Sequence, residues 1–159
     1  MKSYYKIYAA LLLLLGMVFI NTQSYSHCEV PCGIYDDSLR VALIYEHITT
    51  IEKAMNNINS HSSESDPNYN QHVRWIMNKE SHAEKLQEIV SQYFLHQRIK
   101  VADPADQDAY NSYVKSLTLL HEMLVYAMKT KQTTDLAFVE KLRETLHDFE
   151  HHYFGNHSH

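Results

Sequence analysis

The sequence predicts an all-α protein, an up-down-up-down four-helix bundle with a short N-terminal segment ahead of it. Three observations give the helical part. Four stretches place apolar residues at steps of three and four, the period of a helix with one buried face. Polar breaks at residues 60–67, 100–106 and 129–134 separate them, the first two carrying Pro67 and Pro104. The 159 residues include only 3 Gly and 3 Pro, too little turn chemistry for a many-stranded sheet fold.

The first helix is expected over residues 37–59, where Ile44, Ile48, Ile51, Met55 and Ile58 form one stripe with Glu52 and Lys53 away from it. The second is expected over 69–98, with Val73, Ile76, Ala83, Leu86, Val90 and Tyr93 inward and Trp75 nearby. The third, over 106–129, carries Tyr110, Tyr113, Leu117, Leu120, Leu124 and Met128. The fourth, over 135–154, repeats the step in Val139, Leu142, Leu146, Phe149 and Tyr153. These aromatic and Met positions read as core, and the 12 tyrosines leave some to cover an interface between subunits.

Composition removes several function classes. A formal charge of −5 argues against a nucleic-acid binder that works by neutralising phosphates. Two cysteines cannot build a disulfide scaffold, and no Gly-rich phosphate loop occurs. Residues 1–26 differ from the rest: Lys2 and Lys6 give a basic start, residues 9–20 are apolar, and a polar stretch ends in Ser24, Tyr25 and Ser26. That is the layout of a secretory signal peptide, and the apolar run is short for a bilayer span of ~20 residues. Cleavage after Ser26 would leave a domain of residues 27–159 whose formal charge, without Lys2 and Lys6, is −7. The mature chain is then expected to be exported, periplasmic or secreted or in an organelle lumen, with no membrane attachment.

The chemistry concentrates in residues 27–35, which read His-Cys-Glu-Val-Pro-Cys-Gly-Ile-Tyr. After cleavage, His27 offers an α-amine and an imidazole, and Cys28 and Cys32 offer thiolates. If the amide between His27 and Cys28 loses its proton, amine, amide and Cys28 sulfur close two fused five-membered rings on one metal. Cys32 completes a planar set of two nitrogens and two sulfurs. Pro31 and Gly33 flank Cys32 and suit a chain that folds back sharply. Planar nitrogen and sulfur coordination favours nickel(II) or copper(II) over zinc. Amidate and thiolate donors stabilise the trivalent state, so the segment is built for one-electron redox chemistry. Two other readings of the same residues stand beside this one: an exported nickel or copper carrier, and a helical interaction protein with a Cys28–Cys32 disulfide.

The pattern His-Cys-x-x-Pro-Cys-Gly-x-Tyr resembles the nickel hook of the nickel superoxide dismutases, and every fixed position is present in His27 to Tyr35. The resemblance implies an antioxidant oxidoreductase that disproportionates superoxide to oxygen and hydrogen peroxide by Ni(III)/Ni(II) cycling, with one nickel ion per subunit. It implies His27, Cys28 and Cys32 as metal ligands, with the His27 imidazole axial, and Tyr35 over the vacant face, where it helps exclude larger anions. It also implies a homohexamer of four-helix bundles.

Two features depart from the family pattern. Many relatives carry a short propeptide, whereas this leader reads as secretory. In relatives a glutamate backed by an arginine holds the axial imidazole; here Glu46 is the candidate glutamate, and His82 stands in the arginine's place. The remaining histidines read as surface or satisfied core residues: His47, His61, His72, His96 and His121 lack ligand spacing. His147, His151, His152, His157 and His159 read as a solvated end, with a nickel-gathering tail as the sharper alternative.

Overall fold

The computed structural model describes residues 33–155. The leader and its cut after Ser26, the hook residues His27, Cys28, Pro31 and Cys32, and the terminal His157 and His159 lie outside the described residues. Four helical stretches follow one another: α1 (Asp37–Ser62), α2 (Tyr69–Glu88) continuing as a π-helical segment (Ile89–Arg98), α3 (Gln107–Gln132) and α4 (Ala137–Gly155). There is no strand among the described residues, and no helix there is long and apolar enough to cross a membrane. Each helix packs on its neighbours in sequence, and α4 closes the ring on α1, giving the antiparallel bundle expected from the short connections.

The ends are set by side chains. Asp36 accepts from the Leu39 amide (2.9 Å), Asn68 from Gln71 (3.2 Å) and Asp106 from Ala109 (3.1 Å), so three helices begin on an Asx cap that satisfies an orphan amide. The α3 terminus is capped from another helix. Lys79 of α2, only 4% exposed, donates from Nζ to the carbonyl oxygens of Thr130 (2.6 Å) and Lys131 (2.7 Å). A buried ammonium is tolerated there because the last turn of a helix presents unpaired carbonyls and the negative end of its dipole.

The stripes expected for α1 and α4 are the observed core: Ile44, Ile48, Ile51, Met55 and Ile58 meet Val139, Leu142, Leu146, Phe149 and Tyr153, all buried. Phe94 stacks edge-on against Phe149 with ring centres 5.0 Å apart, and Phe149 stacks on Tyr153 at 5.2 Å.

The first half of α2 corrects the sequence expectation. Val73 is 56% exposed and Ile76 36%, while Lys79, Ala83 and Leu86 are buried and Trp75 is half-buried. The helix is rotated so that Lys79 can reach the end of α3, which turns Val73, Ile76 and Met77 outward. In α3 the buried line is Ser116, Leu119, Leu120, Met123, Ala127 and Thr130; Met128 is exposed, and Tyr110, Tyr113, Leu117 and Leu124 are half-buried.

Candidate metal centre

The described chain begins at the last part of the predicted hook. Gly33 has φ +76°, the left-handed region that a side-chain-bearing residue rarely adopts. A Cβ there would meet nothing within 4 Å, so the glycine serves the turn after Cys32 and not a close approach. Two residues on, Tyr35 is 40% exposed and held between two groups. The guanidinium of Arg98 lies 4.3 Å from its ring centre, and the Tyr93 ring meets it edge-on at 5.9 Å.

Asp37, at the start of α1, organises this cluster. Its Oδ1 accepts from Arg98 Nε (2.8 Å) and its Oδ2 from Arg98 Nη2 (2.7 Å), a two-pronged ion pair. Tyr93 Oη donates to Oδ1 (2.5 Å) and Tyr153 Oη to Oδ2 (2.9 Å). Four donors thus converge on one carboxylate from the π-helical segment and α4. Burial alone would raise the Asp37 carboxyl; the hydrogen bonds from Arg98, Tyr93 and Tyr153 outweigh it and hold it below the ordinary carboxylate range. Burial and the bond to Asp37 push the Tyr93 phenol up, and the same causes push Tyr153 to about 12. Both phenols therefore keep their protons at neutral pH. The Arg40 guanidinium lies over the Tyr93 ring, 5.1 Å from its centre.

The π-helical winding matters to this geometry. Tyr93 and Arg98 are five residues apart, and the Ile99 amide bonds to the Phe94 carbonyl (2.9 Å) in the i+5 pattern. That winding delivers both side chains to the same carboxylate. Nothing in the apolar spacing of residues 89–98 announces it, and Asp37 and Arg98 lie too far apart in sequence for local spacing to pair them.

The two residues assigned next to the axial imidazole fall in a second neighbourhood, further along α1. Glu46 is exposed; His82 of α2 is half-buried. His82 does not stand alone as a substitute for an arginine, because its Nδ1 lies 3.1 Å from Nδ1 of His47, which is buried. Burial and then the His82 charge lower the His47 pKa, and burial and Lys85 lower that of His82; Glu46 opposes both shifts. The structure therefore brings Glu46 and His82 into one electrostatic environment and adds His47. Its position, one residue after Glu46, was the only sequence signal for it. Among the other histidines, His147 and His151 are exposed as expected, but His152 is half-buried, with Nε2 3.1 Å from the Ser112 carbonyl oxygen. No group of three or more His, Cys, Asp or Glu among the described residues could hold a metal ion.

The profile of one protein family, nickel-containing superoxide dismutase, matches residues 22–157. The chain belongs to that family. It is a nickel-dependent superoxide dismutase, an oxidoreductase whose substrate is superoxide and whose cofactor is one nickel ion per subunit. No curated protein and no solved structure matches the chain. The helical bundle and the match, which spans all of residues 33–155, agree on the fold of this superoxide dismutase. The turn at Gly33 and the held ring of Tyr35 fall at the end of the segment whose sequence reads as a hook.

Proposed function

We propose that the nickel of this superoxide dismutase is held by the α-amine and imidazole of His27, the amide nitrogen and thiolate of Cys28, and the thiolate of Cys32. The donor set fits nickel(II), which takes planar nitrogen and sulfur coordination. The observation that carries the reading is the left-handed turn at Gly33 directly after Cys32, because a hook must leave its last sulfur by a sharp reversal. Pro31 fixes the backbone on the other side of that sulfur. When bound, nickel supplies a one-electron couple.

The rest of the reaction falls to this chain's own groups. Converting two superoxide ions into oxygen and hydrogen peroxide consumes two protons, so a proton carrier must stand near the hook. Tyr35 fits that role. Its hydroxyl makes no hydrogen bond to another described residue, whereas the Tyr93 hydroxyl is committed to Asp37. The Tyr35 ring also narrows the approach, which favours a diatomic anion over larger ones. Glu46 and His82 orient the His27 imidazole, with His47 fixing the His82 ring by their shared hydrogen bond.

Export completes the reading: a signal peptide of residues 1–26 is removed, and the cut exposes the His27 amine. The mature chain of residues 27–159 works outside the cytoplasm and without membrane attachment. Tyr69, Val73, Ile76 and Met77 form an exposed apolar strip on α2, which supports assembly into a homohexamer. The test is direct. Nickel-loaded mature chain should remove superoxide far faster than the same concentration of nickel salt, and Cys28→Ser or Cys32→Ser should abolish the difference. Equal rates for protein and salt would refute the assignment, and mass spectrometry of the native N-terminus checks the cut at His27.

A further inference from the structure

We propose that Arg98 is the positioning residue for Tyr35: one guanidinium, forked onto Asp37 and laid over the Tyr35 ring, seats the base of the hook on the bundle. The fork fixes the plane of the guanidinium, because its Nε and Nη2 each have an Asp37 oxygen within 2.8 Å. A fixed plane 4.3 Å from the ring centre is a fixed surface for Tyr35 to lie against. Asp37 cannot drift, because Tyr93 and Tyr153 hold the same two oxygens. Tyr93 also supplies an edge-to-face contact with the same ring, at 5.9 Å between centres.

The consequence is a division of labour between the two tyrosines. Tyr93 is a brace, its proton held by Asp37. Among the described residues Tyr35 is held through its ring, which leaves its hydroxyl able to serve the reaction. Lysine cannot replace Arg98, since an ammonium offers neither a plane nor a two-pronged bond. The inference rests on the hook reading for its functional meaning, but the seating itself concerns residues 35, 37, 93 and 98 and holds with or without metal.

The experiment uses the mature chain with labelled tyrosine rings, Tyr35 being assigned by its loss in Tyr35→Phe. In the metal-free wild type the Tyr35 ring signals should be displaced from random-coil positions by the Tyr93 ring and the guanidinium. Arg98→Gln and Arg98→Lys should both move them toward random coil. Nickel affinity should fall by about tenfold, and kcat should drop with little change in KM, as expected when a contact of this size holds a reacting group in place. Arg143→Gln, which breaks an ion pair to Glu52 elsewhere on α1, serves as the control and should change none of these. Unmoved Tyr35 signals in Arg98→Gln, or full rescue by Arg98→Lys, would overturn the proposal. If the ring responds but the loaded wild type is no faster than nickel salt, the positioning stands and the hook reading falls. If the wild type is active and the ring does not respond, the positioning falls alone.

Discussion

His47 and His82 face each other across α1 and α2 with their Nδ1 atoms 3.1 Å apart. Two imidazoles can share that contact only as donor and acceptor, so one carries its proton on Nδ1 and the other does not. Both have pKa values lowered by burial. The unfolded chain, with ordinary histidines near ~6.5, therefore binds protons that the native pair refuses. The pair's contribution is complete above that value and is lost as pH falls through the folded values. Thermal unfolding followed from pH 8 to pH 5 should show stability declining on the acid side, and His47→Gln should flatten the decline. An unchanged slope in that variant would show that the pair does not couple to folding.

Asp37→Asn should cost about 1–3 kcal/mol, because it removes the charge that Arg98, Tyr93 and Tyr153 all address. The carboxyl is held below its ordinary value of ~3.9, so its contribution is present above that pH and is lost as pH falls through the lower folded value. Urea unfolding of wild type and variant at pH 7 and at pH 3 measures both parts. The difference between them should shrink at the lower pH.

Lys79→Met should destabilise by about 2–3 kcal/mol at pH 7, since it leaves the carbonyls of Thr130 and Lys131 buried without a donor. An apolar side chain of similar length fills the space, so the loss reports the polar contacts of Nζ, the 3.2 Å ion pair with Glu80 included. Denaturant unfolding gives the number directly.

Phe149→Ala should cost about 3–5 kcal/mol through the cavity it opens between Phe94 and Tyr153. Because Tyr153 also braces Asp37, the variant should lose nickel affinity as well as stability; comparison with Leu142→Ala, buried in the same helix, separates the two effects.

The helices were legible in the sequence wherever burial followed apolarity. In α1 and α4 every residue of the apolar stripe is buried, and all but Ile58 join one continuous core cluster. In the first half of α2 the rule failed. The end of α3 requires a cation, so Lys79 goes in and Val73 and Ile76 go out, and local spacing carries no trace of a partner some fifty residues away. The candidate site divides in the same way. The hook motif through Tyr35 is contiguous and could be read directly. The groups that hold Tyr35 are scattered over α1, the π-helical segment and α4, and they meet only once the bundle has formed. His47 reads in the sequence as a surface or satisfied core histidine, and it is a buried one; which residue satisfies it was not legible, because its partner His82 sits on another helix.

The most direct test of the central claim compares two nickel-loaded chains, one beginning at His27 and one retaining Ser26. The first presents a free amine beside the Cys28 amide, and the second buries that nitrogen in a peptide bond. Stopped-flow superoxide decay should be fast for the chain beginning at His27, with one nickel bound per chain. The chain retaining Ser26 should match free nickel salt. Equal, rapid decay with both chains would contradict the account.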